Sequence, residues 1–169
     1  MELLSKWALL RKFAAAGLVR HTRKARRVVF FAHGEALRAR SAEITPEYLL
    51  LGILQVDESL AERVHISRSV REALVATAGA RSHSESKEVS LSKEARLAVA
   101  NAAEEREHLG HKHTGTEHLL LGIMRGRSRA AEVLKRHGVG LESVRDSIKG
   151  QTMAVEWDGG VMRRVAPLR

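Results

Sequence analysis

The chain has 169 residues, no cysteine and a formal net charge of +9. This length is sufficient for one domain with a buried core, and a hydrophobic fraction of 44% is too high for a disordered tail. Without cysteine, disulfides, thiol nucleophiles and Cys-based zinc sites are excluded, and because no apolar run approaches about 18 residues, no segment is predicted to span a bilayer.

The positive charge is concentrated at the N-terminus, where residues 1–29 hold eight Lys/Arg against one acid, while residues 30–149 are nearly neutral. Residues 1–19 place large apolar side chains at helical spacing and predict an extra amphipathic helix; these are Leu3, Leu4, Trp7, Leu10 and Phe13. Charges interrupt the apolar run, which argues against a signal peptide. Packing on the domain, docking to a partner and weak contact with a membrane surface remain open roles for this helix.

Residues 20–80 predict a first unit of four helices. Thr22 is a suitable N-cap for the first helix, and Thr45-Pro46-Glu47 opens the second with a cap residue, a proline and an acid at the positive end of the dipole. A third helix is predicted over Ser59 to His65 and a fourth over Val70 to Ala78.

Residues 80–91 form a Ser-rich linker, and residues 92–150 predict a second unit built in the same way. Its first helix begins at the cap residue Ser92 and ends at Gly110. Gly115-Thr116-Glu117 opens the second helix, and further helices are predicted over Arg129 to His137 and Leu141 to Ile148. Acid pairs such as Glu104-Glu105 are interpreted as solvated helix surface.

Residues 151–169 form a C-terminal tail in which Asp158-Gly159-Gly160 lies between two short apolar runs, a pattern typical of a hairpin. An isolated hairpin is marginally stable, so it must pack on the body or a partner, or stay loose. No clear alternating strand pattern precedes Thr152.

The two units are repeats of one another. When the chain is shifted by 70, residues 22–66 match residues 92–136 at thirteen of 45 positions, where unrelated sequences would give roughly three. The longest match places Leu49-Leu50-Leu51-Gly52-Ile53 on Leu119-Leu120-Leu121-Gly122-Ile123, with Glu47 on Glu117, and a later match places Ala61-Glu62 on Ala131-Glu132. The predicted fold is therefore all-α, with two four-helix repeats about a pseudo-twofold axis.

The segment "LGHKHTGTEHLLLGIM", preceded by "SKEARLAVANAAEEREH", closely resembles the Clp amino-terminal domain, the double-repeat domain of Clp-type AAA+ unfoldases such as ClpA and ClpC. The resemblance covers roughly residues 20–150 and is looser in the first repeat. There Ala39-Arg40-Ser41 replaces the family's L-G-H, and Pro46 and Tyr48 replace Thr and His, so the site in that repeat is expected to be altered.

The resemblance implies a non-enzymatic binding module of the Clp protease system. A Walker A loop would require G-x-x-x-x-G-K-[ST], and the chain contains no Gly-Lys dipeptide. We therefore expect a stand-alone, cytoplasmic domain that acts as adaptor, accessory subunit or decoy. Its expected partners are Clp AAA+ unfoldase or peptidase subunits, or substrate proteins, with no stable membrane association.

The resemblance also implies ligand-binding residues. In ClpC-type domains each repeat holds a phosphorylated arginine, with the glutamate of the T-E-H motif on the guanidinium and a Thr at the start of the first helix close by. Carried over by position, this pairs Glu47 with Thr22 and Glu117 with Ser92, and adds Thr116 and His118 beside Glu117. The chemistry is sound, because carboxylates pair bidentately with guanidinium and helix N-termini accept phosphate. A glutamate at a helix start is also favoured by the dipole alone.

Other functions find less support in the sequence. His108, His111, His113 and His118 lie within eleven residues but straddle a helix end, a loop and a new helix, so we predict no metal site and no cofactor. No G-x-S-x-G elbow is present. The alternative is nucleic-acid or anionic-surface binding through the basic N-terminal segment, whose few phosphate contacts would be sensitive to salt.

Overall fold

The computed structural model describes residues 20–78 and 89–149, together with the backbone of residues 157–158 and 161–162. The described part contains eight helices: α1 Arg23–Arg38, α2 Pro46–Val56, α3 Glu58–Arg63, α4 Arg68–Ala78, α5 Lys93–His108, α6 Thr116–Arg125, α7 Arg129–Arg136 and α8 Leu141–Lys149. The predicted all-α fold with two four-helix repeats is confirmed. The extra helix predicted in residues 1–19 lies outside the described residues, and the domain and linker boundaries stay predictions.

The first helix of each repeat begins as the sequence predicts. Thr22 and Ser92 adopt extended backbone conformations, and their hydroxyls accept hydrogen bonds from Ala25 N (3.2 Å) and Ala95 N (3.1 Å). Each cap satisfies one N–H group that has no partner within its helix. At the other end of α5, Gly110 adopts a positive φ of 68°, the conformation for which glycine is preferred.

Two glycines let the helices of each repeat approach closely. A Cβ on Gly52 of α2 would lie 2.5 Å from the carbonyl oxygen of Val28 in α1, and a Cβ on Gly122 of α6 would collide with the backbone of Ala98 and Ala102 in α5. The "LLLGI" match therefore marks the helix crossing at the centre of each repeat, around which Leu, Ile, Val and Ala side chains form one continuous core.

Short backbone pairings join the repeats. β1 (Glu43–Ile44) pairs in parallel with β2 (Ser90–Leu91), an element that the sequence did not predict because two residues show no alternation. Ser92 N–H donates to Ile44 O at 3.0 Å, and the related Thr22 N–H donates to Thr114 O at 2.9 Å. The shift of 70 places Thr22 on Ser92 and Ile44 on Thr114, so the two bonds are equivalent. Each repeat therefore supplies an acceptor for the start of the other repeat's first helix.

The shift of 70 does not persist to the end of the repeats. After α3, Ile66 N–H donates to Ala61 O (2.9 Å), and after α7, Val139 N–H donates to Leu134 O (3.0 Å), a difference of 73 positions. At the helix starts, Ala61 N–H donates to Asp57 O and Glu132 N–H donates to Ser128 O, a difference of 71 positions. The offset between the repeats therefore grows from 71 to 73 along this helix, which has six residues in the first repeat and eight in the second.

Glu105 is the clearest departure from the predicted surface. Its side chain is 1% exposed and accepts two hydrogen bonds from Arg145 of α8 (3.0 and 2.6 Å), with Arg125 of α6 at 3.3 Å. The hydrogen bonds from Arg145 are the main cause of a lowered pKa of this carboxyl. Glu105 thus joins three helices of the second repeat.

At the C-terminus, β3 (Trp157–Asp158) and β4 (Val161–Met162) pair antiparallel, as the hairpin pattern predicts. Among the described residues, no helix has the length and apolar character needed to cross a bilayer.

Candidate ligand-binding site

The start of α6 carries the more accessible of the two glutamates. Gly115 occupies the N-cap position, and the Glu117 carboxylate folds back over it, since a Cβ added to Gly115 would collide with both carboxylate oxygens. The side chain of Glu117 is 29% exposed. A small residue before α6 therefore holds an acidic group at the positive end of the helix, with one side open to solvent.

Two histidines lie beside this carboxylate. Gly115 N–H donates to His118 Nδ1 at 2.8 Å, and His118 Nε2 lies 2.8 Å from His111 Nδ1. A neutral His118 satisfies both contacts with its proton on Nε2, which leaves the proton of His111 on its outer nitrogen, Nε2. The two rings meet edge to face, so the buried His118 links α6 to the loop after α5.

The same cluster resembles a metal site in its composition. His111, Glu117 and His118 can each offer a ligand atom within 4.8 Å of the others. Metal ligation through His118 Nε2 would require that nitrogen to lose its proton while Nδ1 accepts from Gly115, leaving the ring without a proton. The contacts fit a hydrogen-bond relay better than a metal site, and the absence of a metal stays a prediction.

A chain of polar contacts connects the start of α6 with the first repeat. Thr116 Oγ1 donates to Asp57 Oδ2 at 2.5 Å, and Lys24 Nζ lies 3.0 Å from Asp57 Oδ1, which also accepts from Ser59 at 2.9 Å. Thr116 Oγ1 is 3.4 Å from Glu117 Oε2. Because a hydroxyl has one proton and the shorter contact is to Asp57, Glu117 Oε2 keeps its capacity to accept from a ligand. We call Lys24, Asp57, Thr116, Glu117 and His118 the α6 site.

Both carboxyls of the α6 site are held in the charged form. Burial alone would raise the pKa of Asp57, but hydrogen bonds from Thr116, Lys24 and Ser59 and the charge of Lys24 lower it. Burial likewise opposes ionisation of Glu117, yet its pKa is lowered by His118, by its own backbone N–H and by His111. His118 Nδ1 donates to Glu117 only when it carries a proton, which replaces its bond from Gly115 N–H, but the helix start favours the carboxylate in either state.

The start of α2 uses the matching glutamate differently. Glu47 is 1% exposed, and its Oε1 accepts from Ala130 N at 3.2 Å, in the first turn of α7. Its other oxygen is buried without a hydrogen-bond partner. Pro46 stands where the second repeat has Thr116, and Tyr48, in place of His118, donates to Ala78 O at 3.1 Å. Glu47 is therefore a buried cap for a helix of the other repeat.

The family is decided by comparison with known domains. The Clp repeat (R) N-terminal domain matches residues 20–137 and again residues 90–156. This chain belongs to the Clp N-terminal domain family.

Relatives of this Clp N-terminal domain are much longer proteins. The chain is 31% identical over 135 residues to the Bacillus subtilis negative regulator of genetic competence ClpC/MecB, and 34% identical over 135 residues to the ClpA-homologous ATP-binding subunit of the ATP-dependent Clp protease of Cyanidium caldarium. Each alignment covers 76% of this chain and 16% of the relative.

The fold has solved counterparts. The N-terminal domain of Hsp104 from Candida albicans superposes with a TM-score of 0.65 at 13% identity, over 75% of this chain and 87% of that domain. At this identity the likeness concerns the fold alone.

The six predicted site residues of this Clp N-terminal domain separate into two groups. Thr116, Glu117 and His118 lie together, and the backbone bond to Thr114 brings Thr22 to the same end of α6. The bond from Ser92 to Ile44 brings Ser92 to the start of α2, the side of Glu47. The sequence paired Glu117 with Ser92 and Glu47 with Thr22, within each repeat. In the structure Thr22 lies on the side of Glu117 and Ser92 on the side of Glu47, because each first helix starts against the other repeat.

Sequence reasoning missed Asp57 and Lys24. Asp57 lies 59 positions from Thr116 and 33 from Lys24, and its counterpart under the shift of 70 is Arg127. In the sequence, Lys24 is one of eight Lys/Arg in residues 1–29 and has no feature that sets it apart. The sequence offers one signal for Asp57: the shift of 70 places this acid on a base, Arg127, so the two repeats differ at this position.

Proposed function

We propose that this chain is a non-enzymatic binding module of the Clp protease system, which recognises substrate proteins or phospho-arginine marks, or docks to a Clp subunit as adaptor, accessory or decoy. Membership of the Clp N-terminal domain family supports the general assignment. Two of the relatives are named for the Clp protease system or for ClpC, and the chain aligns with only 16% of each.

The observation that carries the proposal is the accessible carboxylate of Glu117 beside the start of α1. Glu117 Oε2 has spare acceptor capacity, and a guanidinium would take both carboxylate oxygens in a planar, charge-assisted pair. Arg and phospho-arginine both present such a group, so this contact alone recognises the side chain and not the mark.

Discrimination of the phosphate would come from α1. The bond between Thr22 and Thr114 brings the first turn of α1 to the start of α6, and Lys24 of that turn is connected to Thr116 through Asp57. Free N–H groups at a helix N-terminus and a lysine are favourable partners for phosphate. The ligand would thus bridge the repeats, with its guanidinium on α6 and its phosphate on α1.

The first repeat offers no equivalent. Glu47 is buried and bonded to Ala130 N, and Pro46 removes one backbone N–H from the start of α2. We therefore propose one ligand site, at Glu117, and assign Glu47 and Ser92 to the structure of the domain.

Calorimetry with phospho-arginine, arginine and phospho-serine tests this proposal. We expect phospho-arginine to bind most tightly, and Glu117→Gln to weaken it about tenfold or more through loss of a charge-assisted pair. Glu72→Gln on α4, a 68%-exposed glutamate, is the matched control and should bind like wild type. Equal binding by Glu117→Gln and wild type, or no binding at millimolar ligand, would reject the site. ATP hydrolysis is measured separately on the purified protein. Activity that persists through re-purification and is lost in a point variant of this chain would reject the non-enzymatic assignment.

The alternative, binding of nucleic acid, draws on the exposed Arg23, Arg26 and Arg27 of α1. Such binding would fall steeply with salt and would not depend on Glu117. A retention assay on single-stranded and duplex DNA at two salt concentrations, with Glu117→Gln alongside, separates the two functions.

A further inference from the structure

Each repeat carries a groove at the end opposite the start of its second helix. The second groove lies between the end of α6, α7 and the start of α8 and has a volume of about 510 Å³. The first groove lies between the end of α2, α3 and the start of α4 and measures about 210 Å³. Leu54 and Met124 are related by the shift of 70, and Ile66 and Val139 by the shift of 73 found after α3, so the grooves are the same feature in two copies.

The two grooves differ in size and in chemistry. Ligand pockets usually measure about 300–1,000 Å³, a range that includes the second groove and excludes the first. The second groove is lined by Met124, Ala131, Val139 and Leu141 and has one acid in its lining. The first groove has two exposed acids, Glu58 and Glu62, which offset its two arginines, Arg68 and Arg71. The second groove is therefore the one with an apolar lining large enough for a ligand.

Unpaired positive charge lies at the second groove. Arg127 and Lys135 line it, Arg129 and Arg136 are their neighbours along α7, and all four are exposed. Among the described residues none of these cations lies within ion-pair distance of a carboxylate, whereas Arg125 lies 2.9 Å from a Glu104 oxygen and 3.3 Å from a Glu105 oxygen. Glu132 is the single acid in the lining of the groove.

The start of α7 is not the source of the attraction for anions. Ser128 Oγ accepts from Ala131 N at 3.2 Å, and Glu47 accepts from Ala130 N at 3.2 Å, so two N–H groups of the first turn of α7 already have partners. We therefore attribute selectivity for an acidic ligand to the arginine and lysine side chains, a contribution that charge reversal can remove.

We propose that the second groove binds a short peptide segment in which large apolar side chains are flanked by carboxylates. The apolar floor takes the side chains, and Arg127 and Lys135 pair with the acids on either side. This site is separate from the α6 site, so it gives the domain a second ligand class on a second surface.

Fluorescence anisotropy with a labelled peptide containing Asp-Leu-Phe-Asp tests the proposal, with Lys-Leu-Phe-Lys and Asp-Ser-Ser-Asp peptides as matched probes. We expect the first to bind and the other two to bind at least about tenfold more weakly, because one loses the charge pairing and the other the apolar contact. Equal binding of the acidic and basic apolar peptides would overturn the assignment, as would no binding at millimolar peptide.

Variants locate the binding surface. Lys135→Glu and Arg127→Glu should each weaken the acidic peptide roughly tenfold through like-charge repulsion, and Ala131→Leu should weaken it by filling the floor. Lys93→Glu on α5 is the matched charge reversal and should have no effect beyond that of net charge. Backbone amide shifts should concentrate in α7 and the start of α8. Shifts confined to the start of α6, or equal losses for Lys135→Glu and Lys93→Glu, would contradict the proposal.

Failure of peptide binding at the second groove can be distinguished from failure of phospho-arginine binding at the α6 site. Glu117→Gln should leave binding of the acidic peptide unchanged, and Lys135→Glu should leave phospho-arginine binding unchanged. Loss of one ligand without the other therefore identifies which of the two proposals fails.

Discussion

Glu47 and Glu117 occupy the same place in two copies of one helix, yet the structure uses them for different purposes. Glu47 is 1% exposed and caps α7, whereas Glu117 is 29% exposed and lies beside Asp57 and Lys24 across the repeat boundary. Their neighbours decide the difference, since Pro46 and Tyr48 replace Thr116 and His118. A matched residue in a duplicated fold keeps its position more readily than its environment, and the environment determines whether it can bind.

The largest effect is expected where the repeats are most alike. Gly122→Ala would force a Cβ into the backbone of α5, and Gly52→Ala would force one against the carbonyl of Val28. Because backbone cannot move aside as a side chain can, each variant should lose about 3 kcal/mol of unfolding free energy, measured by urea denaturation.

Gly34→Ala is the matched control for both glycines. Gly34 is also helical, but a Cβ there would meet only the end of the Arg38 side chain at 3.9 Å. Alanine should therefore stabilise α1 by about 0.5–1 kcal/mol through its higher helix propensity. If all three variants lost similar amounts of unfolding free energy, the close approach of the helices would not be the reason for glycine at these positions.

The two glutamates should separate clearly in stability. Glu47→Ala removes the acceptor of a buried N–H and leaves Ala130 N unpaired, so we expect a loss of about 2 kcal/mol. Glu117→Ala should cost only about 0.5 kcal/mol, the value of an exposed acid at a helix start. If thermal unfolding showed equal losses, the distinction between a buried cap and an accessible site would be wrong.

Asp57 gives the comparison a pH dependence. Its pKa is lowered in the folded chain, so its stabilising contribution is fully present above the ordinary carboxyl pKa of about 3.9 and is lost as the pH falls through the folded value. Asp57→Asn should cost about 1–2 kcal/mol at pH 7, and the difference from wild type should shrink below about pH 4. A difference that stays constant from pH 7 to acid would mean that Asp57 acts through packing and not through its charge.

The helix caps should show the smallest difference between the repeats, because the two repeats build them alike. Thr22→Ala and Ser92→Ala each remove an acceptor for the third N–H of a helix, and each should cost about 1 kcal/mol. Ser92 is fully buried, so its loss should be the greater of the two when both are compared by differential scanning calorimetry. A much smaller effect for Ser92→Ala would indicate that another group replaces its hydroxyl.

Contacts between residues close together along the chain could be predicted from the sequence, and contacts between distant residues could not. The caps at Thr22 and Ser92 act over three positions, and the helices follow from local periodicity, so the duplicated fold was correctly predicted. The bond from Ala130 to Glu47 spans 83 positions and that from Thr116 to Asp57 spans 59. No local pattern contains such contacts, and the burial of Glu47 therefore became visible only in the folded chain.

The pairing of Thr22 with Thr114 and of Ser92 with Ile44 has the reciprocity of a symmetric dimer, in which each subunit gives its partner the same contact that it receives. A single repeat would leave two backbone groups without a hydrogen-bond partner: the N–H at the start of its first helix and the carbonyl before its second helix. Such a unit is self-complementary, and a symmetric pair of identical repeats would satisfy both groups. In one chain the two copies differ in sequence, so Glu47 can serve as a buried cap while Glu117 stays accessible.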